Sequence, residues 1–227
     1  MKVPAKRFFS LPDGELFSKF FLADEPPVQW LDKIPQAIMF LATSGEVLAT
    51  FPKNCDIGSN VFIHKSAKLP SMCVIRGPCY IGRETEIRPF AYIRENCVIG
   101  ERCLVGNSTE IKNSILLNGV QVPHFNYIGD SILGNHAHLG AGAILANLRL
   151  DGKSIKIFDG EERFDTERRK FGAILGDYAE VGCNSVLNPG AVLARGSKIA
   201  PNTNLSGFIE ENSFIGSRDK HSTHAPA

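Results

Sequence analysis

Three cations recur at one interval in this chain. Arg76, Arg94 and Lys112 are evenly spaced, and each directly follows an isoleucine. If the backbone coils with that period, the three stack in a column at steps of about 5 Å. Like charges so close repel unless an anion or a carboxylate sits among them. The column is therefore either a solvated one relieved by neighbours such as Glu110, or a phosphate site, for which arginine offers two-pronged geometry. A general base is also at hand. His124, in the segment PHFNYIGD, carries an imidazole suited to taking a proton near neutral pH. His124, His136 and His138 make the one plausible metal-binding set among the histidines.

The elements that must hold these side chains form a repeat. Stepping by six from Ile57 gives Ile63, Leu69, Ile75, Ile81, Ile87, Ile93, Ile99, Val105, Ile111 and Leu117, all aliphatic. With roughly a quarter of positions aliphatic, chance produces such a run on the order of once in a million. The pattern resumes at Leu175, Val181, Leu187, Leu193, Ile199 and Leu205. Neither the 3.6-residue helix period nor simple alternation gives a strict six. Two residues before each aliphatic stands a small side chain, such as Cys73, Cys79, Ala91, Cys97, Cys103 or Thr109, with Val61 and Ile115 as larger exceptions. Each hexapeptide thus reads as a short strand plus a turn, and three of them make one triangular coil. The step from Arg76 to Arg94, and again to Lys112, is one such coil. The large aliphatic fills the interior and the small residue sits beside it.

Five of the six cysteines, Cys55, Cys73, Cys79, Cys97 and Cys103, occupy the small slot and read as buried small hydrophobes. A metal site would need CxxC-like spacing and a disulfide framework an oxidising compartment, and the sequence supports neither. Cys183 is off that slot. The formal net charge of +1 gives no global field for nucleic acid or an anionic membrane. The longest apolar run, Ala37 to Ala42, cannot span a bilayer, and no secretory leader is read at the N-terminus, so a cytoplasmic protein is expected. Residues 1–50 lack the period. Asp13 to Leu22 and Val28 to Ala42 read as helices broken at Glu25-Pro26-Pro27, with Trp30, Leu31, Ile34, Ile38 and Met39 on one face. They predict a helical cap over the first coils that also covers the open edge of the stack. The domain reading is a cap over 1–50, a β-helix over 51–216 and a disordered tail over 217–227. An inserted loop, 148–171, carries the turn signals Asp151-Gly152 and Asp159-Gly160 and predicts a hairpin.

Near His124 the period slips. From Leu117 the next aliphatic corners are Ile128 and Leu133, steps of eleven and five. Irregularity of this kind often marks function. Gly106, three hexapeptides before His124, is expected to leave room beside the imidazole.

The stretch IRENCVIGERCLVGNSTEIKNSILLNGVQVPHFNYIGDSILGNHAHLGAGAI, gapless from Arg94 to Gly142, resembles the acetyltransferase domain of the bifunctional glucosamine-1-phosphate acetyltransferase/N-acetylglucosamine-1-phosphate uridyltransferase family. The excursion NLRLDGKSIKIFDGEERFDTERRKFGAILGD is similar to that of related sugar-1-phosphate nucleotidyltransferases with acetyltransferase activity. The spacing H-x2-Y-x19-N-x5-K-x2-K is met by His124, Tyr127, Asn147, Lys153 and Lys156. The resemblance implies a left-handed parallel β-helix and acetyl-CoA as co-substrate. It implies His124 as the base that deprotonates a sugar amine, and Arg94 and Lys112 as ligands of a sugar 1-phosphate. Tyr127 and Asn147 would position the sugar, with Lys153 and Lys156 adding to the phosphate clamp. Ala141 would supply a backbone amide to the thioester carbonyl, and the coenzyme would run past Cys183, Ala200 and Pro201. A homotrimer with active sites between subunits is implied as well.

Two residues depart from the family pattern. His138 stands where the family has a sugar-contacting Asn, and Cys183 where it has a coenzyme-contacting Ser. Residues 1–50 hold no Gly-rich phosphate loop, so no nucleotidyl transfer by this chain is expected. Two other readings are a γ-carbonic-anhydrase-like metalloenzyme using the three histidines and a catalytically silent β-helix module.

Overall fold

An aliphatic side chain every sixth residue can point to one interior only if the chain turns as often. The computed structural model, which describes residues 3–11, 19–44, 46–48 and 50–216, shows those turns. Short strands build three sheets of eight, eight and seven strands, the faces of a three-sided prism. Face one runs from Cys55–Ile57 to Asn204–Leu205, face two from Val61–Ile63 to Phe208–Ile209, and face three from Glu86–Ile87 to Phe214–Ile215. Pairing within the faces is parallel, and successive coils stack in register, Ile57 on Ile75 and Ile93 on Ile111. The fold is all-β, a parallel β-helix preceded, among the described residues, by one α-helix.

The interior is as the repeat requires. Ile63, Ile75, Ile81, Ile93, Ile99 and Ile111 are fully buried, with Cys73, Cys79, Cys97 and Cys103 buried beside them and Cys55 half-buried. All six cysteines are free. Burial pushes the Cys97 and Cys103 thiols up to about 12, so they sit as inert small hydrophobes.

The slip lies elsewhere than the sequence reading placed it. Leu116, not Leu117, stacks between Ile99 and Leu133 in the interior, while Leu117 faces outward into a second apolar cluster. The five-residue steps are therefore Ile111 to Leu116 and Ile128 to Leu133, both at the edge where face one turns into face two. Ser114 then fills the small slot, and the apparent exception at Ile115 is an outward-facing residue. Each coil here falls one residue short of three hexapeptides, so Asn107 rather than Gly106 lies against His124. Gly106 serves another need. A Cβ there would lie 1.5 Å from the Pro123 carbonyl oxygen, so the space it leaves is filled by backbone and not by a ligand.

Face two is covered. The helix α1 (Trp30–Ser44) lies along its Cys79–Ile81, Cys97–Ile99 and Ser114–Leu116 strands. Trp30, packed between Phe9 and Phe21, joins Ile34 and Ile38 in burying the outward side of Val98, Ile115 and Ile132. Met39, expected on that buried side, is exposed. The helix thus shields a flank and not the open end. The first coil is met instead by residues 46–48, with Leu48 N–H donating to Ile63 O and Lys65 N–H to Glu46 O. The predicted helix over 13–22 falls largely, and the tail from Ser217 wholly, outside the described residues.

The insertion folds as expected into an antiparallel hairpin, Lys156–Phe158 with Arg163–Asp165. It completes the cover of face two through Ile155, Ile157 and Phe171. Residues 3–11 are strapped to the later coils. Buried Asp177 accepts from Ser10 N–H at 2.6 Å, and Arg195 reaches the Lys6 and Arg7 carbonyls at 3.0 and 3.1 Å and Ser10 Oγ at 2.7 Å. Faces one and three carry no such cover among the described residues. No helix among those residues is long and apolar enough to cross a membrane.

Candidate active site

The cations expected as a column do stack at the turn from face one to face two, each one residue past its interior isoleucine. Each has a carboxylate of its own. Arg76 forks onto Asp56, with one contact at 2.8 Å. Arg94 donates to Glu110 at 3.0 Å and lies 3.7 Å from Glu95. Lys112 lies 3.9 Å from Asp130. The relief by Glu110 anticipated from the sequence is therefore present. Arg94 is nonetheless left with a donor to spare, because its buried Nε–H has no hydrogen-bond partner among the described residues.

Asp130 is the group that the sequence reading missed. Its side chain is only 6% exposed, and it accepts from Asn113 Nδ2 at 2.7 Å and from Asn147 Nδ2. A buried carboxylate so held, beside an ammonium, orients two amides and Lys112 at once. Asn147 in turn meets the Tyr127 hydroxyl. Gly129 makes room for that meeting, since a Cβ there would lie 2.6 Å from Asn147 Nδ2 and 2.8 Å from the Tyr127 oxygen. Burial first, then the Glu110 and Asp130 carboxylates, raises the Tyr127 phenol above its ordinary value, against the lowering effect of Asn147. Arg94, Lys112, Tyr127 and Asn147 thus belong to one polar cluster with Asp130 at its centre.

His124 lies on a different edge, where face three turns into face one, and it is exposed. Its neighbour Phe125 holds a φ of 52° and is 62% exposed, a strained backbone and an apolar ring in solvent together. Successive coils continue this edge. His124 O accepts from Gly142 N–H at 3.1 Å, Ala141 O from Asn184 N–H at 2.8 Å, and Cys183 O from Asn202 N–H at 2.8 Å. His124, Ala141, Cys183 and Pro201 therefore form one column, with Ala200 buried behind its end. Cys183 is exposed on it.

The remaining candidates stand apart from both groups. His138 is half-buried on face three, between Gln121 and Glu180. Lys153 is exposed at the base of the insertion. Lys156, on the hairpin, overlooks Asn188 and Ser206, coils beyond Lys112. His136 stacks on Tyr178 at 5.1 Å on a third edge, so the three histidines do not converge within the chain. Among the described residues no group of three His, Cys, Asp or Glu could hold a metal ion.

The His124 column and the Asp130 cluster terminate opposite ends of the same face-one strand, Tyr127–Gly129. Between His124 and Asp130 the chain turns a corner at Phe125 and Asn126 and then runs as that strand, and among the described residues no hydrogen bond or ion pair links the imidazole to Arg94 or Lys112. Within one chain the imidazole and the cations therefore stand on different edges of the prism, and the room expected beside Gly106 is taken by the Pro123 backbone.

Similar proteins match this chain in part. The protein described as "Bifunctional protein GlmU" of Methanococcus aeolicus is 38% identical over 109 residues, 48% of this chain and 26% of that protein. The bifunctional sugar-1-phosphate nucleotidylyltransferase/acetyltransferase of Sulfurisphaera tokodaii is 35% identical over 104 residues, 46% of this chain and 26% of its own length. The matched stretch thus spans about a quarter of these curated relatives. Among solved structures, the acetyltransferase domain of PglB from Neisseria gonorrhoeae, in complex with acetyl coenzyme A, aligns over 81% of this chain and 62% of that one at a TM-score of 0.36 and 15% identity. The family model of the GMPPB C-terminal domain matches residues 75–215, and the chain belongs to that family.

Proposed function

We propose that this protein is an acetyl-CoA-dependent N-acetyltransferase acting on an amino-sugar 1-phosphate, glucosamine 1-phosphate first among the candidates. Its reacting centre would lie between two copies in a homotrimer. The carrying observation is the column on the His124 edge. Four positions assigned to base and acyl donor fall on consecutive coils there, although the sequence scatters them from His124 to Pro201. A pantetheine arm laid along such an edge would bring its thioester to the imidazole.

The chemistry follows from the residues. A sugar amine attacks the thioester carbonyl, His124 accepts the amine proton, an amide C–N bond forms, and the C–S bond breaks to release coenzyme A. His124, being exposed at a strand end, is placed to take that proton and pass it to the leaving thiolate. On the other edge, Arg94 with its spare Nε–H and Lys112 would hold the 1-phosphate, while Tyr127 and Asn147 position the ring. A second copy that sets its His124 edge against this cluster joins the two halves. The name of the Sulfurisphaera tokodaii relative, which includes acetyltransferase, and faces one and three, uncovered among the described residues, support the reading.

Subunit complementation tests it. His124→Ala and Lys112→Ala chains are each expected to release coenzyme A from acetyl-CoA and glucosamine 1-phosphate at a reduced rate, by about 10²–10⁴-fold for the base. Mixed after mild dissociation, they should regain activity, because some interfaces then pair an intact imidazole with an intact ammonium. No activity in the unaltered protein would end the proposal. Activity without complementation would end its intersubunit part.

A further inference from the structure

A groove of about 740 Å³ opens under the inserted hairpin, a size suited to a small ligand. Its floor is the continuation of the face-one to face-two edge, Ala146, Asn188 to Gly190, and Ser206 with Gly207. Its wall is the hairpin. Ile157 and Phe164 turn inward to the second apolar cluster, so by strand alternation Lys156, Phe158 and Arg163 take the other side. Arg149 and Asp151 stand at the mouth, paired with each other at 2.7 and 2.9 Å.

The charges in the groove are unbalanced. Among the described residues neither Lys156 nor Arg163 forms an ion pair or side-chain hydrogen bond. Asp165, which faces Lys156 across the hairpin, spends its carboxylate on Ser154 Oγ at 2.7 Å and Glu167 N–H at 2.8 Å. Those two donors hold its carboxyl below the usual value, and the pull of Lys156 is the least of the causes. Two cations on one wall repel without an anion between them, and a guanidinium with an ammonium is a phosphate-binding pair. Apolar surface lies beside them. Leu150 is wholly exposed, Leu148 is 47% exposed, and Phe158 lines the wall. A ligand that satisfies both features carries phosphate and a ring system, which is the chemistry of a nucleotide.

The groove also has a fixed height. Ala146, Asn188 and Ser206 follow the same three face-one strands, Ile144–Leu145, Val186–Leu187 and Asn204–Leu205, that Ala141, Cys183 and Pro201 precede. Where copies meet edge to edge at one level, the column of one lies along the groove of the next.

We infer that this groove binds the phosphates of a nucleotide between Lys156 and Arg163, with its ring system against Phe158 and Leu150. That the nucleotide is the terminal part of the acyl donor rests on the reaction proposed above. A free nucleoside diphosphate shares the chemistry and is the other source. Lys156 then serves the nucleotide and not the sugar 1-phosphate.

Calorimetric titration of the full chain with coenzyme A, adenosine 3′,5′-bisphosphate and UDP separates these cases. The variants are Lys156→Glu, Arg163→Glu and the neutral pair Lys156→Gln/Arg163→Gln, with Lys65→Glu on the first coil as a charge control and melting temperature as a check on folding. Coenzyme A and the bisphosphate are expected to weaken by at least about tenfold in the groove variants and not in the control. Weakening of UDP alone would keep the groove and reassign its ligand to a free nucleotide. Unchanged affinities in all groove variants, or no nucleotide bound by the unaltered chain, would overturn the inference. Acetyl transfer with an unaltered KM for acetyl-CoA in Arg163→Glu, and no UDP binding, would remove the groove while leaving the proposed reaction intact. Nucleotide binding that depends on these charges, in a chain without transferase activity, would do the reverse.

Discussion

At the scale of single residues, Asp130 decides how the cluster around it behaves. Both of its oxygens hold side-chain amides and Lys112 is its nearest cation, so removing the charge frees Asn113 and Asn147 together. Asp130→Asn is expected to cost about 1–3 kcal/mol of stability in urea unfolding. It should also raise the KM for the sugar phosphate more than it lowers kcat, since nothing places Asp130 at the reacting atoms. Tyr127 gives a pH test. Its raised phenol stays protonated in the folded chain where an unfolded tyrosine ionises, so the unfolded state binds fewer protons as pH climbs past the ordinary value near about 10. Stability is intact below that pH and falls above it, and Tyr127→Phe should flatten the alkaline limb of a melting profile. Cys183 gives a third test. As the exposed thiol on the His124 column it should react first with an alkylating reagent, ahead of the buried cysteines whose thiols are pushed up by desolvation. Bound coenzyme A should slow that reaction. The sequence showed the cations, His124 and the small slot because their residue types and spacing are unusual. It hid Asp130, because a lone carboxylate after a Gly resembles any solvated turn until the coil above delivers Asn147.

Strands and turns carry the next level. A strict count of six identified the prism, yet it misassigned one turn, since Leu116 and Leu117 are equally aliphatic and only stacking tells which points inward. Parallel pairing of Leu116 with both Ile99 and Leu133 settles it. The shortened corners draw the chain tight next to Asp130, which is how Asn113 and Asn147 reach one carboxylate from neighbouring coils. Leu116→Ala is expected to cost about 2–5 kcal/mol by leaving a cavity in the interior. Gly106→Ala should cost more than about 4 kcal/mol, because its methyl group would occupy the Pro123 carbonyl and neither backbone can yield. Both are measurable by denaturant unfolding. The helix within residues 1–50 was legible from its apolar stripe, but where it docks was not. A stripe says that a face is buried and is silent about whether a flank or an end receives it.

For the molecule as a whole, one covered face and two that are bare among the described residues bear on what can assemble. Face two is covered by α1 and the hairpin, so the proposed trimer is expected to set the His124 edge of one copy, with exposed Phe125, against face one and the Asp130 edge of the next. Sedimentation is expected to show three copies, and the melting temperature should rise with protein concentration if the interface is part of the stability. The strap at the N-terminus adds a consequence of another kind. Lys6, Arg7 and Ser10 leave the ribosome 185 to 189 residues before the guanidinium that anchors them, Arg195. Phe9 can pack on Trp30, and the coils in between can form in order of synthesis, but residues 6–10 lack the Arg195 anchor until its coil is outside. Nascent chains halted before Arg195 should therefore be cleaved faster within residues 6–10 than those halted well past it.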